Sequence, residues 1–151
     1  MAANRTTLRA DQVKVGDELP PLEVPITATV IVSGAIASRD YQDVHHDHAL
    51  AIQRGSKDIF MNILTTNGWV GRYVTDWAGP EALLHVVDIV LGAPNYPGDH
   101  MRMTGKVTAV DGARVTLAVR GANHLGDHVK GTVELELPRG ARAETPRAAR
   151  A

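Results

Sequence analysis

Cysteine is absent from the 151 residues, which excludes disulfides and thiol chemistry and leaves the redox compartment open. Aromatic residues are scarce at 4%, so a core has to be built mainly from Val, Leu, Ile and Ala. Neither charge sign is in excess. A formal net charge of −1 argues against nucleic acid as the main partner, because phosphate binding needs a clustered basic face. No apolar run approaches the ~18 residues of a membrane span, and the N-terminal residues lack the apolar centre of a signal peptide. What remains is one soluble domain, expected in the cytoplasm, of a length that buries about 70% of its unfolded surface.

Titratable groups, by contrast, are dense at one place. Asp40, Asp43, Asp47, His45, His46 and His48 fall between residues 40 and 48, directly after an apolar run at 29–37. Three readings fit such a cluster: a catalytic dyad, a metal site or a polar loop. His45 and His48 share a helix face at i, i+3, whereas the neighbours His45 and His46 point apart, which makes a poor ligand set. Asp40 and His45 would stand about 140° apart on one regular helix, so they converge only if the chain bends between them. Taken alone, Asp40 also reads as a helix cap and His45 as a hydrogen-bonded loop residue.

Residues 1–12 read as a polar arm, 13–138 as the domain, and 139–151 as a disordered tail without apolar period. Gly16, Pro20 and Pro21 give 15–22 turn chemistry. Pro25 makes 23–29 an edge strand. A buried helix is predicted over 30–38 with Thr29 as its cap, and a second over 47–54 ended by Gly55. The longest helix is predicted over 58–78, apolar nearly all round, with Gly68 and Gly71 explained by close packing of a sheet and Gly79-Pro80 closing it. Strands follow at 83–91, 101–110, 114–123 and 128–137, with turns at 111–112 and 126–127 and a loop at 93–99. The fold class is therefore α+β: a curved antiparallel sheet, including a four-stranded meander, wrapped around one long central helix.

These residues resemble the MaoC-like hydratases of the hotdog fold, the (R)-specific enoyl-CoA hydratases. That family's signature runs Gly/Arg-Asp-x-Asn-Pro-hydrophobic-His. Arg39-Asp40-Tyr41-Gln42-Asp43-Val44-His45 keeps its Asp and His five apart and departs from it at Gln42 and Asp43. Tyr96-Pro97-Gly98-Asp99 resembles the family's Pro-Gly-Asp turn, and Asn123, Gly126, Val129 and Gly131 its closing hairpin, so the likeness spans about residues 13–138. Within the family, 33–41 and 58–65 are similar to the small catalytic subunits of actinobacterial steroid side-chain enoyl-CoA hydratases.

The resemblance implies Asp40 and His45 as the catalytic pair and the backbone N–H of Asn62, with Ile63 second, as the oxyanion donors at the start of the long helix. The family usually has His-Gly where this chain has Met61-Asn62. Asp43, His46, Asp47 and His48 are then bystanders or supports. Arg39, Lys57 and Arg72 are candidates for CoA phosphates, and Trp69, Tyr73 and Trp77 belong to the core or the acyl-pocket wall. The implied substrate is an acyl-CoA thioester. The implied assembly is a homodimer or a heteromer with a larger MaoC-like subunit, with no cofactor beyond the CoA of the substrate, no metal, no nucleic acid and no membrane. A hotdog thioesterase and a non-catalytic acyl-CoA-binding or assembly subunit are the alternatives.

Overall fold

Helix α3 (Ile63–Ala78) lies against the other elements of a computed structural model that describes residues 6–140. Residues 1–5 of the expected arm and 141–151 of the expected tail lie outside the described residues. Thr66, Val70, Tyr73, Val74 and Ala78 are the buried positions of α3 and mark a single stripe at helical spacing. The expectation of burial all round is corrected, since Ile63 and Leu64 are 47% and 48% exposed. The helix also begins at 63 rather than 58. The Phe60 amide donates to the Val44 carbonyl and that of Met61 to the Asn95 carbonyl, so distant partners hold 60–61 out of the helix.

Five strands make one antiparallel sheet: β1 (Glu18–Pro25), β2 (Leu83–Leu91), β3 (His100–Asp111), β4 (Arg114–Asn123) and β5 (Gly126–Glu136), in the order β1-β3-β4-β5-β2. The α+β class and the five expected strands stand, but the meander is corrected. β3, β4 and β5 form it, while β2 pairs with β5 at the far edge. The 93–99 loop makes this crossing. The Gly92 and Ala93 amides reach the carbonyls of His128 and Asp127 in β5, and the Asp99 carbonyl accepts from Ile26 beyond β1. Tight turns fall at 112–113 and 124–125, one or two residues from the expected positions.

β1 runs through Pro20 and Pro21, which had read as a turn. Its register slips between Leu19 and Leu22, and at a sheet edge a proline without N–H is tolerated in such a bulge. Val133, Leu135 and Leu137 face inward as their alternation predicts, joining Leu117, Val70 and Val74 in the core. β2 is the opposite edge, and Leu83, Val86 and Val90 on it are 60%, 40% and 64% exposed. The inner part of the arm is docked: the Leu8 amide donates to the Ala78 carbonyl at 2.8 Å, and the Glu81 amide to Thr7 Oγ1 at 3.0 Å. Among the described residues no helix is long and apolar enough to cross a membrane.

Two short helices lead to the site. α1 (Ala28–Ala37) is capped by Thr27, whose side chain accepts from the Val30 amide at 3.1 Å; Thr29, the expected cap, falls inside the helix. α2 (His48–Gln53) is capped by Asp47 and followed by Gly55 at φ 88°, as the sequence suggested. The close approach expected at Gly68 and Gly71 occurs instead at Gly34 of α1. Gly68 faces open space and Gly71 has only Leu84 at 3.7 Å from where a Cβ would stand. A Cβ on Gly34 would overlap the Thr65 side chain of α3, which is β-branched and has little freedom to turn away. Gly34→Ala is expected to destabilise the fold by about 1–3 kcal/mol through overpacking. A melting temperature several degrees lower would show it; an unchanged one would mean that α1 slides on α3 at no cost.

Candidate active site

Asp40 stands three residues past the end of α1 and is fixed there by how that helix ends. The Arg39 amide donates to the Ile36 carbonyl at 3.1 Å and the Asp40 amide to the Ala35 carbonyl at 2.9 Å, with Arg39 at φ 57°. This is a Schellman ending with arginine at the left-handed position where glycine is usual, a conformation that costs a non-glycine residue about 1 kcal/mol.

The bend that brings His45 back to Asp40 forms without the Asn-Pro of the resembling family, and the backbone angles say how. Proline confines the residue before it to extended conformations and favours the first position of a helix. Gln42 is extended at φ −64°, ψ 132°, and Asp43 opens the 3₁₀ turn Asp43–His45. Asp43 therefore occupies the place of the proline. Its carboxylate accepts from Arg54 at 2.7 Å and its carbonyl from the Asp47 amide at 2.8 Å, so side-chain and backbone ties replace the rigid ring.

His45 is buried at 6% exposure, with the Phe60 ring edge-on at 4.9 Å. Its Nδ1 lies 2.7 Å from the Phe60 carbonyl oxygen, which can only accept, so the hydrogen is on Nδ1. In the neutral ring Nε2 is then a lone pair, and it stands 3.4 Å from Asp40 Oδ2. The two acceptors thus face one another beside a single place from which a water could reach both.

The side chain of Asn62 completes the arrangement. Its Nδ2 donates to Asp40 Oδ2 at 3.0 Å and to Ser38 Oγ at 2.9 Å, while its Oδ1 caps α3 by accepting from the Thr65 amide at 2.9 Å. The Asn62 hydrogen bond holds the Asp40 carboxyl below its ordinary pKa against a smaller opposing effect of burial, helped by the Gln42 amide and by His45. Sequence reasoning chose Asn62 for its backbone and missed both this role and Ser38. The available signal was Asn at the position before a helix, a capping residue by type. Among the described residues no protein acceptor pairs with the amides of Asn62 and Ile63 at the positive end of the α3 dipole.

The remaining members of the cluster go elsewhere. His46 Nε2 meets the Tyr41 carbonyl at 3.2 Å, His48 Nδ1 meets Asp58 Oδ1 at 2.8 Å, and Asp47 caps α2. The imidazoles thus diverge, and among the described residues no three side chains of metal-ligating type converge. Of the cations, Arg72 stacks on Trp69 at 5.0 Å and Lys57 lies 5.6 Å from the Tyr96 ring centre. Tyr73 belongs to the core, whereas Trp69 lines an open groove of about 380 Å³ that starts at Ser38 and runs between α1 and α3 to Arg72.

One helix lies on a five-stranded antiparallel sheet, with a carboxylate and an imidazole gathered near its N-terminus. The chain is 54% identical over 123 residues to the 3-oxo-4,17-pregnadiene-20-carboxyl-CoA hydratase beta subunit of Mycobacterium tuberculosis (strain ATCC 25618 / H37Rv), covering 82% of this chain and 95% of that one. A chain in the crystal structure of the ChsH1–ChsH2 complex from Mycobacterium tuberculosis superposes with a TM-score of 0.81 at 53% identity, covering 82% of this chain and 98% of that one. The unliganded R-hydratase PhaJ1 from Pseudomonas aeruginosa shares the fold, with a TM-score of 0.81 at 20% identity over 96% of this chain and 97% of its own. No family model matches the chain. The chain belongs to the MaoC-like (R)-hydratase family of the hotdog fold, and its activity class is that of an enoyl-CoA hydratase.

Proposed function

We propose that the chain adds water to a trans-2-enoyl-CoA to give a (3R)-hydroxyacyl-CoA, with Asp40 and His45 as the acid–base pair. The observation that carries this reading is the facing of Asp40 Oδ2 and His45 Nε2 at 3.4 Å with the Nδ1 hydrogen committed to Phe60. A water between them gives up a proton as its oxygen bonds to the β-carbon. The electron pair of the C=C bond moves toward the thioester, and the charge on the thioester oxygen is taken up by the amides of Asn62 and Ile63. The proton is then delivered to the α-carbon. Histidine is the side-chain type suited to holding or releasing that proton near neutrality. No cofactor enters beyond the CoA of the substrate, and the setting is cytoplasmic.

The acyl group in this reading is a steroid side chain, and the chain works as the catalytic subunit beside a larger MaoC-like partner. The 54%-identical relative supports the steroid acyl group and a place in a heteromer, because its name gives it a pregnadiene-carboxyl-CoA substrate and calls it a beta subunit. The groove from Ser38 to Arg72 is open enough for a bulky acyl group. The test is hydration of 3-oxo-4,17-pregnadiene-20-carboxyl-CoA and of a short 2-enoyl-CoA, followed by loss of enoyl absorbance, with and without a co-expressed partner. Faster turnover of the steroid thioester is expected. Release of free thiol without hydration would assign the chain to the thioesterases instead.

A further inference from the structure

A second buried imidazole lies behind the site and takes no part in the proposed reaction. His128 of β5 is 2% exposed and Thr66 of α3 is fully buried at 0%. His128 Nδ1 stands 2.7 Å from the Ala93 carbonyl oxygen, an acceptor only, so the hydrogen is on Nδ1. Burial pushes this imidazole below its ordinary pKa, opposed by the Ala93 bond and the charge of Asp99, so the neutral ring prevails at neutral pH. Its Nε2 lone pair then accepts from Thr66 Oγ1 at 2.9 Å. That hydroxyl has one hydrogen and also lies 3.2 Å from the Asn62 carbonyl, which accepts from the Thr66 amide at 3.1 Å as well.

The result is a continuous polar line. The Ala93 carbonyl in the β2–β3 loop holds His128, His128 holds Thr66 in the first turn of α3, and that turn carries Asn62, whose side chain holds Asp40. We propose that His128 and Thr66 are positioning residues for the Asp40–His45 pair, acting through Asn62; the inference rests on the hydratase reading. The pair ties the N-terminal turn of α3 to the sheet at a buried point beneath the Asn62 carbonyl. A turn free to rock there would let the Asn62 amide leave Asp40 Oδ2, and the site would lose geometry without losing a reacting group.

The test is steady-state hydration by the full chain, with its partner if one is required, in isosteric variants. Thr66→Val removes the hydroxyl at constant shape and is expected to lower kcat about tenfold with KM within about twofold, the loss of roughly one hydrogen bond. Thr66→Ser restores the hydroxyl and recovers most of the rate. His128→Asn keeps a donor for Ala93, gives up Thr66 and loses about as much as Thr66→Val. The double variant is no slower than the slower single, because both break one line. Normal kcat in Thr66→Val or His128→Asn with only a lowered melting temperature would overturn the proposal, as would losses that multiply. Full activity of Asp40→Asn would overturn the dyad reading and this inference with it. An inactive Asp40→Asn beside normal Thr66→Val and His128→Asn would overturn this inference alone.

Discussion

Replacing Asp40 by Asn is expected to lower hydration turnover by about 10²- to 10⁴-fold while the fold survives, the usual loss on removing one acid–base group. The amide is the size of the carboxylate, and its oxygen can still accept from Asn62, so the end of α1 has no cause to move. The charge is lost, and with it the basic group beside the water at His45 Nε2. Because the native carboxyl titrates below its ordinary value, its bond to Asn62 stabilises the fold above the unfolded pKa and is lost as the pH falls through the native one. The melting temperature of Asp40→Asn at neutral pH should therefore drop only slightly. His45→Ala should fall in rate by a similar factor. Near-normal rates in both variants, read as loss of enoyl absorbance, would remove the dyad from the mechanism.

A change at Asn62 should separate catalysis from folding more sharply. Aspartate caps helices as well as asparagine does, so Asn62→Asp keeps the acceptor for the Thr65 amide and with it α3. The donor to Asp40 Oδ2, now at 3.0 Å, becomes a second carboxylate. Like charges at that distance do not both ionise freely, and one pKa of the pair rises strongly. Turnover at neutral pH is expected to fall by roughly 10- to 100-fold, the value of a hydrogen bond to a charged group. The acid limb of the kcat/KM profile should also move upward in pH, because the water-binding carboxylate is now protonated at higher pH. A rate loss without that movement would mean that Asn62 does not set the state of Asp40.

The site was legible where chemistry depends on residue type and spacing, and less so where it depends on distant partners. The resemblance, through the five-residue separation of its Asp and His, picked Asp40 and His45 out of a crowded cluster, and the structure brings them to 3.4 Å. The bend between them lacks the proline of the resembling family. It forms because Gln42 and Asp43 take up the same backbone classes and Arg54, eleven residues beyond Asp43, secures them. The start of α3 was misjudged because Ile59, Phe60 and Met61 continue its apolar pattern, while the carbonyls of Val44 and Asn95 claim the amides of Phe60 and Met61. Had the helix been started at 63, Asn62 would have read as its cap and its side chain would have drawn notice. Strand order escaped for a related reason: alternation says which face of a strand is buried and is silent about which neighbour it pairs with. His128 carries no pattern of its own, since a polar residue at an inward strand position becomes meaningful only once Thr66 and Ala93 are seen beside it.

β2, with Leu83, Val86 and Val90 uncovered along it, bears on more than shape. A strand edge lined by aliphatic side chains is a template for another strand, and whatever docks there recognises the folded chain and not the unfolded one. Such a ligand deepens the native well by an amount that rises with its own concentration. When the ligand is a second copy of the chain, the melting temperature becomes a function of how much protein is in the tube. The robustness of this fold is then a shared property of the molecules in solution, set by mass action as much as by the contacts inside one of them.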